Sequence, residues 1–173
     1  MLITSLILIP FLASALSAVS NRKWHFEVIA MVAAVAETIV GLAVILSVAV
    51  LGHYDGSTFF SIDAMGAIVL LTIIIVNLAA SFYSVGYLRK ELDKGIVNLG
   101  LIKKYYVLLP LFVAAMVIAV CSTNPIVMWI AIEATTLSTV FLVGFYNKPA
   151  SMEAAWKYLI ISSIGLLLGL FGT

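Results

Sequence analysis

Three ionisable residues lie inside long apolar stretches of the sequence: Glu37, Glu133 and Lys157. A charge at the centre of a bilayer costs about 2.5–3.5 kcal/mol on insertion scales, so such a residue faces the interior of a helix bundle, a partner or water. With about 1.5 Å of helix rise per residue, Glu37 and Glu133 fall near the middle of their helices, and Lys157 falls about 7 Å from the level of Glu133. Acids and a lysine at this depth are typical of a proton pathway.

Coupling between such groups is what a proton relay needs. A proton bound at one group changes the proton affinity of its neighbour, so a charge that arrives at one site can expel a proton from the next. We therefore predict that Glu133 is a switchable acid, that Lys157 is its charge partner and that Glu37 is a further relay. Hydroxyl residues beside Glu133 could order a chain of water molecules. They are Thr135, Thr136 and Ser138.

Simpler structural roles compete with this interpretation at each position. Lys157 lies four residues after Glu153, which is the favourable order for an ion pair within one helix, and its long side chain can reach the membrane surface. Glu133 could be a buried structural acid that is hydrogen-bonded to neighbouring hydroxyls, and Glu37 could serve packing or a contact between subunits. The sequence leaves these alternatives open.

The composition is that of a membrane protein. Of 173 residues, 64% are hydrophobic and only 10% are charged, and the mean hydropathy is +1.23. The formal net charge of +1 leaves no broad basic surface, which excludes nucleic-acid binding. Cys121 is the single cysteine and is accompanied only by His25 and His53, so neither an internal disulfide nor a zinc or iron–sulfur site is expected. We predict no metal and no redox cofactor on this chain.

Hydropathy predicts an all-α integral membrane protein with six transmembrane helices in a single bundle over residues 1–173. Each crossing needs about 20 apolar residues, and charge, Pro, Asn or Gly separates one apolar stretch from the next. The predicted spans are 2–19, 26–51, 63–87, 105–123, 125–146 and 151–172. Between the second and third spans, residues 51–62 are typical of a small external hairpin, and Asp63 is placed to cap the third helix.

Basic residues predict the orientation in the membrane. They fall in the first, third and fifth loops and are absent from the second and fourth, so the odd loops are predicted to be cytoplasmic and the N-terminus external. The first span is predicted to be retained and not cleaved as a signal peptide, because Arg22 and Lys23 follow the apolar stretch and no basic residue precedes it. The predicted location is the inner, cytoplasmic membrane. The basic loop residues are Arg22, Lys23, Arg89, Lys90, Lys94, Lys103, Lys104 and Lys148.

Two stretches of the sequence resemble helices five and six of a known group of membrane subunits. They are Asn124-Pro-Ile-Val-Met-Trp-Ile-Ala-Ile-Glu133-Ala-Thr-Thr-Leu-Ser and Glu153-Ala-Ala-Trp-Lys157-Tyr. Both are similar to the antiporter-like proton-pumping subunits of respiratory complex I, Mrp-type cation/proton antiporters and membrane-bound nickel–iron hydrogenases. Within that group they resemble most closely component F of the hydrogenase-4 and formate hydrogenlyase branch. Phe60-Ser-Ile-Asp63-Ala-Met and Tyr83-Ser-Val-Gly-Tyr87 are similar to the start and end of that group's third helix.

The resemblance implies a role, partners and a larger fold. It implies that Glu133 and Lys157 belong to the proton-transfer machinery, that this subunit is an ion-translocating and not a redox-active one, and that it carries no redox cofactor. It implies other membrane-arm subunits and soluble nickel–iron hydrogenase or iron–sulfur subunits as partners in the lipid bilayer. Members typically have about fourteen helices, so six helices correspond to the front portion, and a fragment or a split subunit is expected. An Mrp-type sodium/proton antiporter component and a non-conducting membrane scaffold are the alternatives.

Overall fold

The computed structural model describes residues 2–20 and 22–172, for Lys23 the backbone only. These residues form six helices, each long and apolar enough to cross a membrane, which confirms the predicted fold class. The helices are α1 Leu2–Val19, α2 Lys23–Leu51, α3 Ala64–Asp93, α4 Leu99–Cys121, α5 Pro125–Val143 and α6 Pro149–Gly172. The predicted hairpin is present as β1 His53–Ser57 and β2 Phe60–Asp63.

Two helices extend beyond the predicted spans on the side of the α3–α4 loop. Helix α3 runs to Asp93 and not to residue 87, and α4 begins at Leu99 and not at residue 105. Hydropathy detects only the apolar part of a helix, whereas backbone hydrogen bonding continues into the polar zone until a cap ends it. For α4 the cap is Asn98, whose side chain accepts a 2.8 Å hydrogen bond from the Leu101 amide.

The hairpin closes the opposite end of the bundle. Its strands pair antiparallel with an irregularity between Asp55 and Ser57, where Gly56 lies against Ile3 so closely that an added Cβ would meet the Ile3 side chain at 3.0 Å. The Thr123 amide donates to the Phe59 carbonyl at 3.0 Å and ties the turn to the α4–α5 loop. Asp63 caps α3 as predicted, accepting a 2.8 Å hydrogen bond from the Gly66 amide.

The first four helices form the packed part of the bundle. Helix α1 contacts both α2 and α4, α2 lies against α3, and α3 also contacts α4. Near the hairpin their buried residues are apolar, and the closest approach is at Gly41, where an added Cβ would lie 2.9 Å from Ile74. Near the α3–α4 loop a second, aromatic-rich cluster is centred on Phe26 and Tyr106.

Helices α5 and α6 form an outer layer. Helix α5 packs on α4, and α6 packs mainly on α5. Only 11% of the most apolar stretch of α5 and 6% of that of α6 are buried, compared with 28–39% in the first four helices. Large apolar side chains cover the outer face of this layer, Ile130 and Ile161 among them, and such a face is compatible with lipid or another membrane helix.

Candidate functional site

Glu133 lies between α5 and α6. One carboxylate oxygen, Oε1, accepts a 3.0 Å hydrogen bond from the Ser163 hydroxyl of α6. The other, Oε2, is buried and has no hydrogen-bond partner among the described residues. A buried carboxyl group with one oxygen unsatisfied is costly unless it is protonated or reached by water or a cation. Oε2 is therefore the open hydrogen-bonding position of Glu133 among the described residues.

The hydroxyl residues next to Glu133 are only partly available to water. Thr135 and Thr136 both donate to the Ile132 carbonyl of their own helix, at 2.6 Å and 3.2 Å. Each oxygen keeps its acceptor capacity, so either hydroxyl can still accept from a water molecule. Ser138 lies one turn further along α5 and is half-buried.

Lys157 does not contact Glu133 in this structure. Its ammonium group pairs with the Glu153 carboxylate one turn earlier on α6, and both side chains are about two-thirds exposed. This is the simpler pairing that the spacing of the two residues allows. Lys157 precedes Ser163 by six residues, which is about 9 Å along a helix. The structure thus brings Ser163 to Glu133 and leaves Lys157 nearer the membrane surface.

Glu37 occupies a separate interface, between α2 and α3. It is 2% exposed, and its Oε2 accepts a 2.8 Å hydrogen bond from the Asn77 amide group of α3. Its Oε1 is buried without a hydrogen-bond partner in residues 2–20 and 22–172. Asn77 is in turn 3.4 Å from the Ser81 hydroxyl, which donates to its Oδ1. Glu37 is therefore a buried acid with one carboxylate oxygen unpartnered among the described residues.

A tight contact between α5 and α6 holds Ser163 at the level of Glu133. An added Cβ on Gly169 would lie 2.9 Å from the Trp129 ring, so only glycine lets the two helices approach at this point. Gly165, one turn earlier, has nothing within 4 Å of its Cβ position and faces open space. Packing at Trp129 therefore sets the spacing of the helix pair that carries the site.

Two contacts of the buried acids were absent from the sequence-based prediction: Ser163 with Glu133, and Asn77 with Glu37. The contact of Ser163 could have been predicted from residue counting. Ser163 lies nine residues before the end of α6 at Gly172, and Glu133 lies eight residues after the start of α5 at Pro125. Nearly equal distances from the same membrane side place both at one depth. Asn77 is a polar residue in an apolar stretch, which is itself an indication of a buried contact.

A polar network at the α3–α4 loop end joins the helices there. The Glu27 carboxylate accepts a two-pronged ion pair from the Arg89 guanidinium, with Nε 2.8 Å from Oε1. The Tyr146 hydroxyl, between α5 and α6, lies 2.9 Å and 3.0 Å from the two carboxylate oxygens of Glu91 and 2.8 Å from the Tyr87 hydroxyl. Desolvation first, and then the contacts with Tyr87 and Glu91, raise the pKa of Tyr146 above its usual range.

The described residues contain no group of three His, Cys, Asp or Glu side chains placed to hold a metal ion. Cys121 is buried and unpaired with another cysteine. The acids that the helix interfaces enclose are Glu37, which is 2% exposed, and Glu133, whose Oε2 is buried.

Comparison with known proteins finds a family match in the α5–α6 segment. Residues 122–173, which contain Glu133, Lys157 and Ser163, match the family described as NADH:quinone oxidoreductase/Mrp antiporter, TM. A Hydrogenase-4 component F homolog of Methylacidiphilum infernorum is 34% identical over 116 residues, which are 67% of this chain and 24% of that protein. NADH-quinone oxidoreductase subunit L of Mycobacterium tuberculosis is 29% identical over 116 residues, 65% of this chain and 17% of that protein.

Two further comparisons extend the range of similar proteins. The Na(+)/H(+) antiporter subunit A1 of Staphylococcus aureus is 31% identical over 114 residues, 65% of this chain and 13% of that protein. A chain in the structure of the membrane-bound sulfane sulfur reductase, an archaeal respiratory membrane complex, superimposes with a TM-score of 0.78. The match covers 98% of this chain and 36% of that chain at 16% sequence identity, which shows a common fold.

The chain thus spans about a quarter or less of the length of the curated relatives it matches. The matched segment coincides with the α5–α6 pair that carries Glu133, and the predicted resemblance is confirmed. In sequence, this chain is therefore similar to the antiporter-like membrane subunits of NADH:quinone oxidoreductases and Mrp antiporters, and its residues 122–173 match the model of that family.

Proposed function

We propose that this chain functions in a proton-translocating membrane subunit of a respiratory-type complex of the hydrogenase-4 or formate hydrogenlyase kind. The observation that carries the proposal is Glu133, a carboxyl group near mid-membrane depth with a serine on one oxygen and no partner on the other among the described residues. It lies inside the segment that matches the family. The similarity to a Hydrogenase-4 component F homolog supports the choice of complex.

In this proposal each ionisable residue has a different role in proton transfer. Glu133 binds and releases the proton, and Ser163 stabilises its carboxylate form by hydrogen bonding. Lys157 is the charge partner: release from Glu153 would let its ammonium group turn toward Glu133, with water bridging the remaining distance along α6. Thr135, Thr136 and Ser138 offer acceptor oxygens to that water, and Glu37 is a further relay.

The energy for pumping must come from partner subunits. Moving one elementary charge against 100 mV takes about 2.3 kcal/mol, and this chain is proposed to carry no redox cofactor. We therefore propose other membrane-arm subunits and soluble nickel–iron hydrogenase or iron–sulfur subunits as partners. The proposed partners are tested by purifying the native complex by means of an affinity tag on this chain and identifying its subunits by mass spectrometry. A hydrogenase subunit in the complex supports the assignment, and a complex without any redox subunit contradicts it.

The test of the central residue is Glu133→Gln in the native complex. Glutamine keeps the shape and the hydrogen bond with Ser163 but cannot release a proton at physiological pH. We expect proton translocation into membrane vesicles to be lost while the complex still assembles. Asp55→Asn, on an exposed acid of the hairpin, is the matched control and should leave translocation unchanged. Translocation that survives in Glu133→Gln would remove Glu133 from the mechanism.

A sodium/proton antiporter component is the second candidate, favoured by the similarity to the Na(+)/H(+) antiporter subunit A1. It would use the same acids but respond to a sodium gradient without any hydrogenase. Proton movement in vesicles that contain the complex, measured with and without a sodium gradient, separates the two. Sodium-dependent proton movement in the absence of electron transfer would favour this candidate over the first.

A further inference from the structure

The buried face of α3 changes its character along the helix. On the half next to the hairpin the buried side chains are apolar, with Leu70 and Ile74 fully enclosed. On the other half, the positions that continue the same face are Asn77, Ser81 and Ser84, all at most 8% exposed. Buried polar residues in a membrane helix are costly and concentrate where they meet each other, water or ions. The change in character occurs at the level of Glu37.

A column of polar groups therefore leads from Glu37 to the α3–α4 loop side of the membrane. Its core contacts are those already described, from Glu37 to Asn77 and from Asn77 to Ser81. Ser84 comes next, bonded to the Ser81 carbonyl at 2.9 Å. Tyr106 of α4 is 1% exposed, stacks on Phe26 of α2 and lies in the same buried cluster as Leu88, one helical turn after Ser84 on α3.

The column ends at the Glu27–Arg89 pair, where Arg89 is half exposed and Glu27 is buried. Ten residues separate Glu27 from Glu37 on α2, which corresponds to about 15 Å of helix. The polar groups thus span the distance between the middle of the membrane and its surface.

Two buried atoms in the column lack a hydrogen-bond partner within the part of the chain that the structure describes: Glu37 Oε1 and the Tyr106 hydroxyl. Buried polar atoms of this kind are where proteins bind internal water, provided that two or more polar groups converge. The polar group in contact with Glu37 is Asn77, and Ser81 contacts Asn77 one helical turn further along α3. The Tyr105 ring meets the Tyr106 ring edge-on, with 5.5 Å between the ring centroids.

The other direction is closed. Between Glu37 and the hairpin, α2 and α3 touch at Gly41 and Ile74 without space for even a methyl group. Beyond that contact the enclosed side chains of α1, α2, α3 and α4 are all hydrocarbon or thiol over two further helical turns. No polar step leads from Glu37 to the hairpin side among these core residues.

We infer that Glu37 exchanges protons with one side of the membrane only, the side of the α3–α4 loop, through a hydrated column lined by Asn77, Ser81, Ser84 and Tyr106. The proton moves between the Glu37 carboxyl group and water in the column, and no electron transfer is involved. The assignment extends the relay role proposed for Glu37 to a direction of access. Its tests measure accessibility and proton exchange, so it can fail while translocation through Glu133 stands.

Cysteine accessibility in the intact complex tests the direction of access. In a Cys121→Ser background, Ser81→Cys and Ser84→Cys each place a small thiol in the column. We expect a membrane-impermeant methanethiosulfonate to react with both from the α3–α4 loop side, at least about tenfold faster than from the hairpin side. Ile74→Cys, on the same helix face in the closed half, is the matched control and should react from neither side. Reaction of Ser81→Cys and Ser84→Cys from the hairpin side, or no faster than that of Ile74→Cys, overturns the inference.

Infrared spectroscopy tests the proton exchange itself. The carboxyl band that Glu37→Gln removes belongs to Glu37, and its shift in D2O reports exchange with solvent. We expect the Ser81→Ala/Ser84→Ala double variant to slow that shift at least about tenfold, and Thr72→Ala, on the exposed face of α3, to leave it unchanged. Equal exchange rates in the double variant and wild type, or a spectrum in which Glu37→Gln removes no band, overturn the inference.

Discussion

At the scale of single residues, two acids lie in two different helix interfaces: Glu37 is buried, and Glu133 is half-buried with its Oε2 enclosed. One carboxylate oxygen of Glu133 accepts a hydrogen bond from the neutral Ser163 hydroxyl, and one of Glu37 accepts from the neutral Asn77 amide group. The other carboxylate oxygen of each acid has no hydrogen-bond partner among the described residues. A neutral donor stabilises a carboxylate less than a full countercharge does. Neither acid is held by a full countercharge among the described residues.

Removal of the Ser163 hydroxyl tests how much the carboxylate form of Glu133 depends on it. A hydrogen bond to a charged group contributes about 1.5–3 kcal/mol, so we expect Ser163→Ala to lower the rate of proton translocation about tenfold or more. Ser162→Ala is the matched control, since Ser162 is the adjacent half-buried serine of α6. Equal rates for the two variants would show that Ser163 does not assist Glu133.

The Tyr146 hydroxyl is a residue-scale contact that links the α5–α6 loop to α3. Because the pKa of Tyr146 is raised in the folded protein, the unfolded phenol ionises first as pH rises, and folding stability falls above about pH 10. We expect Tyr146→Phe to lower the free energy of unfolding by about 1 kcal/mol at neutral pH and to make its decline above about pH 10 shallower. Urea titrations in detergent at a series of pH values measure both. Tyr158→Phe, on an exposed tyrosine, should change neither, and an unaltered alkaline decline in Tyr146→Phe would contradict the argument.

At the scale of elements, α5 and α6 are the least buried helices of the bundle, and they contain the residues that match the family model. Little of either helix is buried, and the spacing between them depends on the contact of Gly169 with Trp129. Without a hydrophobic driving force in lipid, close packing of small residues supplies much of the association between such helices. The distance between Ser163 and Glu133 therefore depends on the contact between Gly169 and Trp129.

Gly169 and Gly165 form a matched pair for testing this contact. Gly169→Leu should push α6 away from Trp129, break the hydrogen bond from Ser163 to Glu133 and reduce proton translocation to the level of Ser163→Ala or below. Gly165→Leu should have little effect, because its Cβ faces open space. Trp129→Leu in the Gly169→Leu background should restore part of the loss. The rate of proton translocation is measured for the two glycine variants, the double variant and Ser163→Ala. Equal effects of the two glycine substitutions would refute the packing argument.

At the scale of the whole molecule, polar features are distributed unevenly across the membrane. The hairpin end is closed by apolar side chains, whereas the opposite end carries the Glu27–Arg89 pair, the Tyr146 contacts and several lysines. These lysines lie in the α3–α4 loop and in the adjoining ends of the two helices: Lys90, Lys94, Lys103 and Lys104. Lysine and arginine in loops favour the cytoplasmic side. The orientation predicted from charge would therefore make the proposed column to Glu37 a cytoplasmic one.

Cysteine labelling in intact cells measures this orientation. In a Cys121→Ser background we expect Ser57→Cys, in the hairpin, to react with a membrane-impermeant maleimide added outside, and Lys94→Cys, in the α3–α4 loop, to react only after the cells are broken. Both positions are exposed in the structure, so a difference between them reports the side of the membrane and not burial. The reverse pattern would invert the predicted topology.

The sequence by itself determined the class of the protein, the six helices and which of them carry acids at depth, because hydropathy and the cost of a buried charge act locally along the chain. It also indicated the hairpin and the Asp63 cap, which depend on neighbouring residues. Helix ends beyond the apolar core, as at Asp93 and Leu99, were underestimated because polar residues extend a helix without raising its hydropathy.

The partners of the acids were decided only by the tertiary structure. Ser163 and Asn77 are 30 and 40 residues away in sequence from Glu133 and Glu37, and which residue meets an acid depends on helix rotation and on contacts such as Gly169 with Trp129. Lys157 illustrates the same limit, since depth alone allowed two partners and the structure places it on Glu153. Depth follows from counting residues along one helix, whereas facing direction follows from the packing of several helices.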